Sequence, residues 1–333
     1  MQIKTTRSKL TLSPRTITWL KVVGVFGFGL ALYLQIQGWP KGPELQWNLH
    51  KLGEALSGWD GLIALLLVFL NIGMEASKWW VLLRDRHPIS FRQAFENIIT
   101  GWTLGIFTPQ RIGEYAGRLI GFDQTQRPLA VYYTFVSSIA QNFSHLIGVI
   151  PFLIWGIVDS PPPIPGIGGV GILLLGCGIV FYLYFHIDDL VGYLHRRLGA
   201  ISYLKNILPS TYFPISSETL GAVLFLSLIR YGAYLSLFVH LLHLLVPEIA
   251  VVDLYLYLPI VFLLQSSIPL PPAIAFLARI EFAVLALRGL SIAPGVIAVA
   301  GLVLWVLNLL LPSLLGIGLL LRYKPKIGAN KIN

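Results

Sequence analysis

The chain has one cysteine, few charges, and fewer acids than bases. A single thiol can form neither an intramolecular disulfide nor a cysteine metal cluster. Cys177 lies in the apolar run Val170 to Phe185, where a buried, inert thiol is expected. Charged residues are 12% of the 333 positions and hydrophobic ones 56%, against roughly 25% charged in an ordinary soluble domain. Such a chain has too little polar surface to cover a water-soluble globule. A metalloprotease motif, a nucleophile elbow and a nucleotide-binding loop are also missing, so hydrolytic and nucleotide-dependent chemistry has no motif to rest on. No stretch reads as a linker between polar-surfaced domains, and residues 1–333 are read as a single membrane domain.

The bases that are present gather at the ends of apolar segments. The net charge of +9, from 24 Lys and Arg against 15 Asp and Glu, therefore points to a membrane surface and not to nucleic acid. About 20 apolar residues cross the hydrocarbon core as a helix. Six segments meet that length: Ile17 to Ile36, Gly61 to Leu83, Leu129 to Ile157, Ile167 to Phe185, Leu220 to Leu245 and Ile292 to Leu321. The first lacks a small-residue cleavage site and is read as a retained span. Lys4 to Lys21, then Arg84, Arg86 and Arg92, then Arg196, Arg197 and Lys205, then Arg322, Lys324, Lys326 and Lys331 all fall on one side. The positive-inside rule makes that side cytoplasmic, with both termini there, in a multi-pass protein of the cell (inner) membrane. Leu45, Leu49, Leu52 and Leu56, and again Leu190, Leu194, Leu198 and Ile201, repeat at helical spacing among polar residues and predict two amphipathic surface helices.

Two stretches fit neither span nor loop. Ser90 to Phe107 leads into Thr108, Pro109, Gln110, Arg111, Ile112, Gly113 and Glu114, then a short apolar helix to about Phe122. Leu254 to Ser267 leads into Pro269, Leu270, Pro271 and Pro272, then a helix to about Leu287. Proline lacks an amide hydrogen and collides with the preceding turn, so a helix breaks at each place. Arms of this length stop short of a full crossing, which predicts two re-entrant hairpins, at about 90–122 and about 254–288. The expected fold is an all-α polytopic membrane protein of about six spanning helices plus the two re-entrant hairpins. Residues 1–157 and 158–333 then form an inverted-topology repeat.

Ionisable residues at membrane depth cost about 2.5–3.5 kcal/mol each on insertion scales, so each needs a reason. Arg111, Glu114 and Arg118 share one face of the short helix after the first break. Arg230 is central in its span, and Arg279 and Glu281 follow the second break. Gln141, Asn142 and His145 are central in the third span, where interhelical hydrogen bonding is the plain reading. Glu75 and Lys78 are expected as a structural ion pair near the cytoplasmic end of their span, with the lysine snorkelling. Arginines at a broken helix suit an anionic headgroup such as phosphate. His240 and His243 have no convergent partners for a metal site, and neither metal nor cofactor is expected.

The run Thr108 to Glu114, with Arg118, resembles the conserved motif of the flippase-like membrane domain of lysylphosphatidylglycerol synthases. The break at Pro269 to Pro272, followed by Arg279 and Glu281, is similar to that family's second motif. It departs from the usual glycine-rich turn with adjacent Arg and Glu, since Pro271, Pro272 and Ile280 intervene. The resemblance extends from about Ile17 to Leu321 and implies movement of a phospholipid or lipid-linked headgroup between leaflets. Full-length synthases carry a soluble aminoacyltransferase domain after the membrane domain. Here the chain stops at Asn333, so a stand-alone member that does not itself make aminoacylated lipid is expected.

The residues expected to bind substrate are thus Arg111, Glu114, Arg118, Arg230, Glu281, Arg279, His145 and Gln141, within motifs that include Thr108, Pro109, Gly113, Pro269 and Pro272. The expected partner is a membrane phospholipid with an anionic headgroup. Two other readings stand beside transport. One is an intramembrane headgroup transferase with Glu114 and His145 as acid and base. The other is a non-catalytic partner of a membrane enzyme, and homo-oligomerisation is open in all three.

Overall fold

In the computed structural model, which describes residues 43–106, 108, 111–159, 167–198, 213–267 and 270–322, all regular structure is helical. The expected first span, the motif prolines Pro109 and Pro269, and basic residues such as Lys205 and Lys324 lie outside the described residues.

The first described helix, α1 (Pro43–Ala55), coincides with the first predicted amphipathic segment and rests on later helices through the fully buried Leu52. A long apolar helix, α2 (Trp59–Leu83), follows. Then come two short helices, α3 (Phe91–Gly105) and α4 (Ile112–Arg118), on either side of the first break. Ser90 starts α3 with a capping box, its hydroxyl accepting from the Gln93 amide while the Gln93 side chain accepts from the Ser90 amide. Next are α5 (Arg127–Gly148) and α6 (Ile150–Asp159), interrupted only at Val149 and counted together as one span, Arg127–Trp155. Pro151 withholds an amide from the joint between them, which explains the break.

The order then recurs. An apolar helix, α7 (Ile167–Phe185), turns by 80° at His186 into the amphipathic α8 (Ile187–Leu198). A long apolar helix, α9 (Ser217–Leu245), is capped by the Ser216 hydroxyl. Two short helices, α10 (Val251–Ser266) and α11 (Pro272–Ala286), flank the second break, and α11 begins on Pro272, whose missing amide proton is no loss at a first helical turn. The last span comprises α12 (Pro294–Trp305), a π-helical turn at Val306–Leu310, and α13 (Leu311–Arg322). Pro312 would clash with the carbonyl four residues back, at Asn308, and the wider turn relieves that clash.

Among the described residues, four helices are long and apolar enough to cross a membrane, or five if the bent pair at His186 counts as one span. The chain is thus a multi-pass, all-helical membrane protein. Its centre is the antiparallel α2–α9 pair, whose fully buried side chains include Ala76 and Trp79 of α2 and Leu237, Phe238 and Leu241 of α9. Large apolar side chains such as Leu66, Leu175 and Leu315 face outward, each about two-thirds exposed, which suits lipid and not water.

Each broken pair is packed arm against arm. In the first, Gly101 and Gly105 of α3 face Gly113 and Gly117 of α4, two small-xxx-small stripes that let the backbones touch. A Cβ at Gly117 would run into the backbone of Gly101, and one at Gly113 into the carbonyl of Leu104. The two breaks also meet each other, because the Ile106 carbonyl at the end of α3 accepts a hydrogen bond from the Ala273 amide at the start of α11 (2.9 Å).

Candidate functional site

A cavity of about 250 Å³ lies where α2, α3, α4, α5, α9, both breaks and the π-helical turn converge. Its depth follows from the four long helices that wall it. Asn71, Gln141 and Asn308 each stand at the midpoint of their span, and Arg230 is one residue from the midpoint of α9. Polar groups so placed would be driven out of an apolar core unless they served one another or a ligand.

Glu75 of α2 is the hub of one wall. Lys78 Nζ lies 2.7 Å from its carboxylate, Arg118 Nη2 2.5 Å and Arg230 Nη1 3.2 Å, so three cations from three helices share one acid. Arg118 also pairs with Glu114 one turn before it, and Arg111 Nη1 is 3.8 Å from the same carboxylate. Arg118, although on the motif face, is fully buried and stacked over Trp79 at 5.2 Å. It therefore holds α4 against α2. Lys78 does not snorkel as expected: its side chain is wholly buried and lines the cavity. The physical reason is cover, because α3, α5 and α9 close over α2 and leave no path to the headgroup region.

The break between α3 and α4 is built by its own motif. Thr108 donates to the Gly105 carbonyl (3.0 Å) and accepts from the Gly113 amide (2.8 Å), so one hydroxyl ends α3 and caps α4. Arg111 sits between them in the left-handed region (φ 57°, ψ 31°), a conformation a side-chain-bearing residue holds only when its surroundings impose it. Its guanidinium lies 5.8 Å from the Trp102 ring centre, and that of Arg230 lies 5.6 Å from the same ring.

A chain of hydrogen bonds crosses the cavity from this wall to the second break. Gln141 Oε1 accepts from Arg230 Nη1 (2.6 Å) and Lys78 Nζ (3.4 Å). Gln141 Nε2 meets His145 Nε2 (3.3 Å), and His145 Nδ1 meets Ser266 Oγ (2.7 Å). Ser266 gives its own proton to the Phe262 carbonyl, which leaves it to accept from His145 and assigns the ring proton to Nδ1. Glu114 and His145 thus line one cavity but engage different partners, arginines for the acid and Gln141 and Ser266 for the histidine.

On the opposite wall Arg279 of α11 is buried, donates from Nε to Gln265 (2.7 Å) and lies 5.4 Å from the Tyr234 ring centre. Pro272 accepts from the Trp305 indole (3.2 Å). Glu281, two residues beyond Arg279, is exposed and does not line the cavity. Of the residues expected to bind substrate, Arg111, Glu114, Arg118, Gln141, His145, Arg230 and Arg279 come together, and Glu281 does not.

Several lining residues were not singled out from sequence for this site: Glu75, Lys78, Trp102, Tyr231, Tyr234 and Gln265. Asn71 and Asn308 were missed as well, and they join α2 to the π-helical turn by a buried 2.7 Å bond. Their central position in apolar runs was the available signal. Counting formal charges, five cations (Lys78, Arg111, Arg118, Arg230, Arg279) face two carboxylates, Glu75 and Glu114. The lining thus carries more cations than acids.

No curated protein gave a significant match to the chain. Residues 21–316 match the family model described as the lysylphosphatidylglycerol synthase TM region.

Proposed function

The chain belongs to the lysylphosphatidylglycerol synthase TM region family, and from that premise we propose that it moves a phospholipid, or a lipid-linked headgroup, between leaflets. The observation that carries this reading is the cation-rich cavity at the midpoints of four long apolar helices. An anionic headgroup enters it while the acyl chains stay in lipid, and Arg111, Arg230 and Arg279 replace the headgroup's water. Without such a stand-in for water, the phosphate faces the full penalty of low-dielectric burial.

On this reading α3 with α4 and α10 with α11 are re-entrant hairpins. Their longer arms, 15 or 16 residues, are about 22–24 Å at ~1.5 Å per residue, short of a core of about 30 Å. With Arg84, Arg86 and Arg92 cytoplasmic, the first hairpin enters from the cytoplasm and the second from outside, and both termini are cytoplasmic. The recurring element order is then an inverted-topology repeat, and the Ile106 to Ala273 bond joins the two hairpins near the bilayer middle. The protein works in the cell membrane as a carrier, not as an enzyme, and leaves the lipid's bonds intact.

The test reconstitutes purified protein into liposomes with a reporter-labelled phosphatidylglycerol and follows the outward-facing fraction. Wild-type protein is expected to equilibrate the leaflets and return chemically unchanged lipid, whereas Arg111→Ala slows the exchange at least about tenfold. A new lipid product, or movement unaffected by Arg111→Ala, would contradict the proposal.

A further inference from the structure

We infer that Lys78 makes the cavity proton-coupled: it takes up a proton when a phosphate headgroup enters and gives it back when the headgroup leaves. This rests on the carrier reading and adds a proton to its cargo. Lys78 lies behind the cavity surface with its side chain wholly buried, so a headgroup senses it by charge and not by contact. Its Nζ is 2.7 Å from the Glu75 carboxylate and 3.4 Å from Gln141 Oε1. Glu75 lines the same cavity and is the relay that passes the proton to and from the amine.

Elimination singles Lys78 out. Anion binding draws in a proton only at a group able to gain positive charge or lose negative charge. Arginine keeps its proton in proteins, so Arg111, Arg118, Arg230 and Arg279 are fixed charges. Protonating Glu75 would break its pairs with Arg118 and Arg230, and protonating Glu114 its pairs with Arg111 and Arg118. His145 is satisfied as the neutral ring: Nδ1 donates to Ser266 and Nε2 accepts from the Gln141 amide, a bond that a charged ring would turn into two facing donors. The phenols of Tyr115, Tyr231 and Tyr234 can only lose a proton, which adds the wrong sign. From α3 and the π-helical turn come Trp102, Asn308 and Leu309, none of which titrates.

Lys78 differs from all of these. When its ammonium sheds a proton, Glu75 stays paired with Arg118 Nη2 at 2.5 Å and Arg230 Nη1 at 3.2 Å, and the neutral amine still donates to Gln141. Among the described lining residues four arginines then stand against two carboxylates, an excess of two positive charges. A singly charged phosphate together with a recharged Lys78 leaves the same excess. Like charges repel most strongly where water is excluded, so the proton follows the phosphate in and out.

The experiment adds short-chain phosphatidylglycerol to the whole protein in detergent, in weakly buffered solution with a pH-indicator dye, at steps from about pH 6 to about pH 10. Binding is followed separately by the thermal unfolding midpoint. Wild type is expected to take up close to one proton per bound lipid within that range, and its apparent dissociation constant to rise there by up to about tenfold per pH unit. Lys78→Met cannot hold the proton and Lys78→Arg cannot shed it, so both should show neither uptake nor that pH slope. Folding of Lys78→Met is expected because Glu75 keeps two arginines, and Lys78→Arg serves should it fail. Saturable binding by wild type without proton uptake would overturn the inference and leave the carrier reading standing. Uptake that persists in the Lys78 variants would overturn it too, by placing the proton elsewhere. A lipid that does not bind at all would remove the headgroup site and the inference together.

Discussion

The two broken helix pairs meet at one cavity, but they bring different chemistry to it. The α3–α4 pair supplies Arg111, Glu114 and Arg118, which are cross-linked to one another and, through Glu75, to α2. Its backbones touch through four glycines and its break is tied by Thr108. The α10–α11 pair opens with prolines and supplies Arg279, held by a bond to Gln265 and keeping a nitrogen free. Glu75, Glu114 and Arg118 form a charge-paired scaffold with Arg111 more open at its edge, whereas Arg279 pairs with no carboxylate among the described residues. A charge at membrane depth can therefore serve structure or ligand, and its partners reveal which. Substitutions on the two sides should separate stability from function.

The largest loss of stability is expected for Glu75→Ala. It strands Lys78, Arg118 and Arg230 without their shared acid, and breaking a buried charge network from one partner costs about 3–5 kcal/mol. Unfolding in detergent would show it as a lowered midpoint, and an unchanged midpoint would remove Glu75 from the hub. Next is Gly117→Leu, where a side chain must enter the space held by the Gly101 backbone. Overpacking of this kind costs about 1–3 kcal/mol, and the same unfolding measurement checks it.

On the other side, Arg279→Ala is expected to cost less stability than Glu75→Ala, because it gives up a bond to Gln265 and a contact with Tyr234 but strands no other charge. Yet it should slow headgroup movement at least about tenfold in liposomes. Arg111→Gly sharpens the contrast furthest. Glycine accepts the left-handed backbone that arginine holds at φ 57°, so relieved strain offsets the lost contacts and stability stays within about 1 kcal/mol of wild type, while transport falls. A large fall in stability for Arg111→Gly would place Arg111 in the scaffold.

Much of this architecture was legible in the sequence, because span length and helix breaking are local properties. The segments expected at Gly61 to Leu83, Leu129 to Ile157, Leu220 to Leu245 and Ile292 to Leu321 correspond to helices at Trp59–Leu83, Arg127–Trp155, Ser217–Leu245 and Pro294–Arg322. Both breaks fall at the motif residues, with α11 starting one residue earlier than expected, on Pro272. The hub was not legible. Glu75 and Lys78 show only their i, i+3 spacing in sequence, and nothing local reveals that α4 and α9 deliver Arg118 and Arg230 to the same carboxylate. Glu281 lies outside the cavity for the converse reason: its neighbour Arg279 lines it, and a residue two positions on points elsewhere around the helix.

The most direct test of the central claim is the rate at which labelled phosphatidylglycerol changes leaflet with Arg279→Ala protein whose unfolding curve overlays that of wild type. The account predicts that wild type exchanges the lipid and the folded variant does not. Equal rates for the two would contradict it, because a headgroup would then cross without the donor that α11 holds in the cavity.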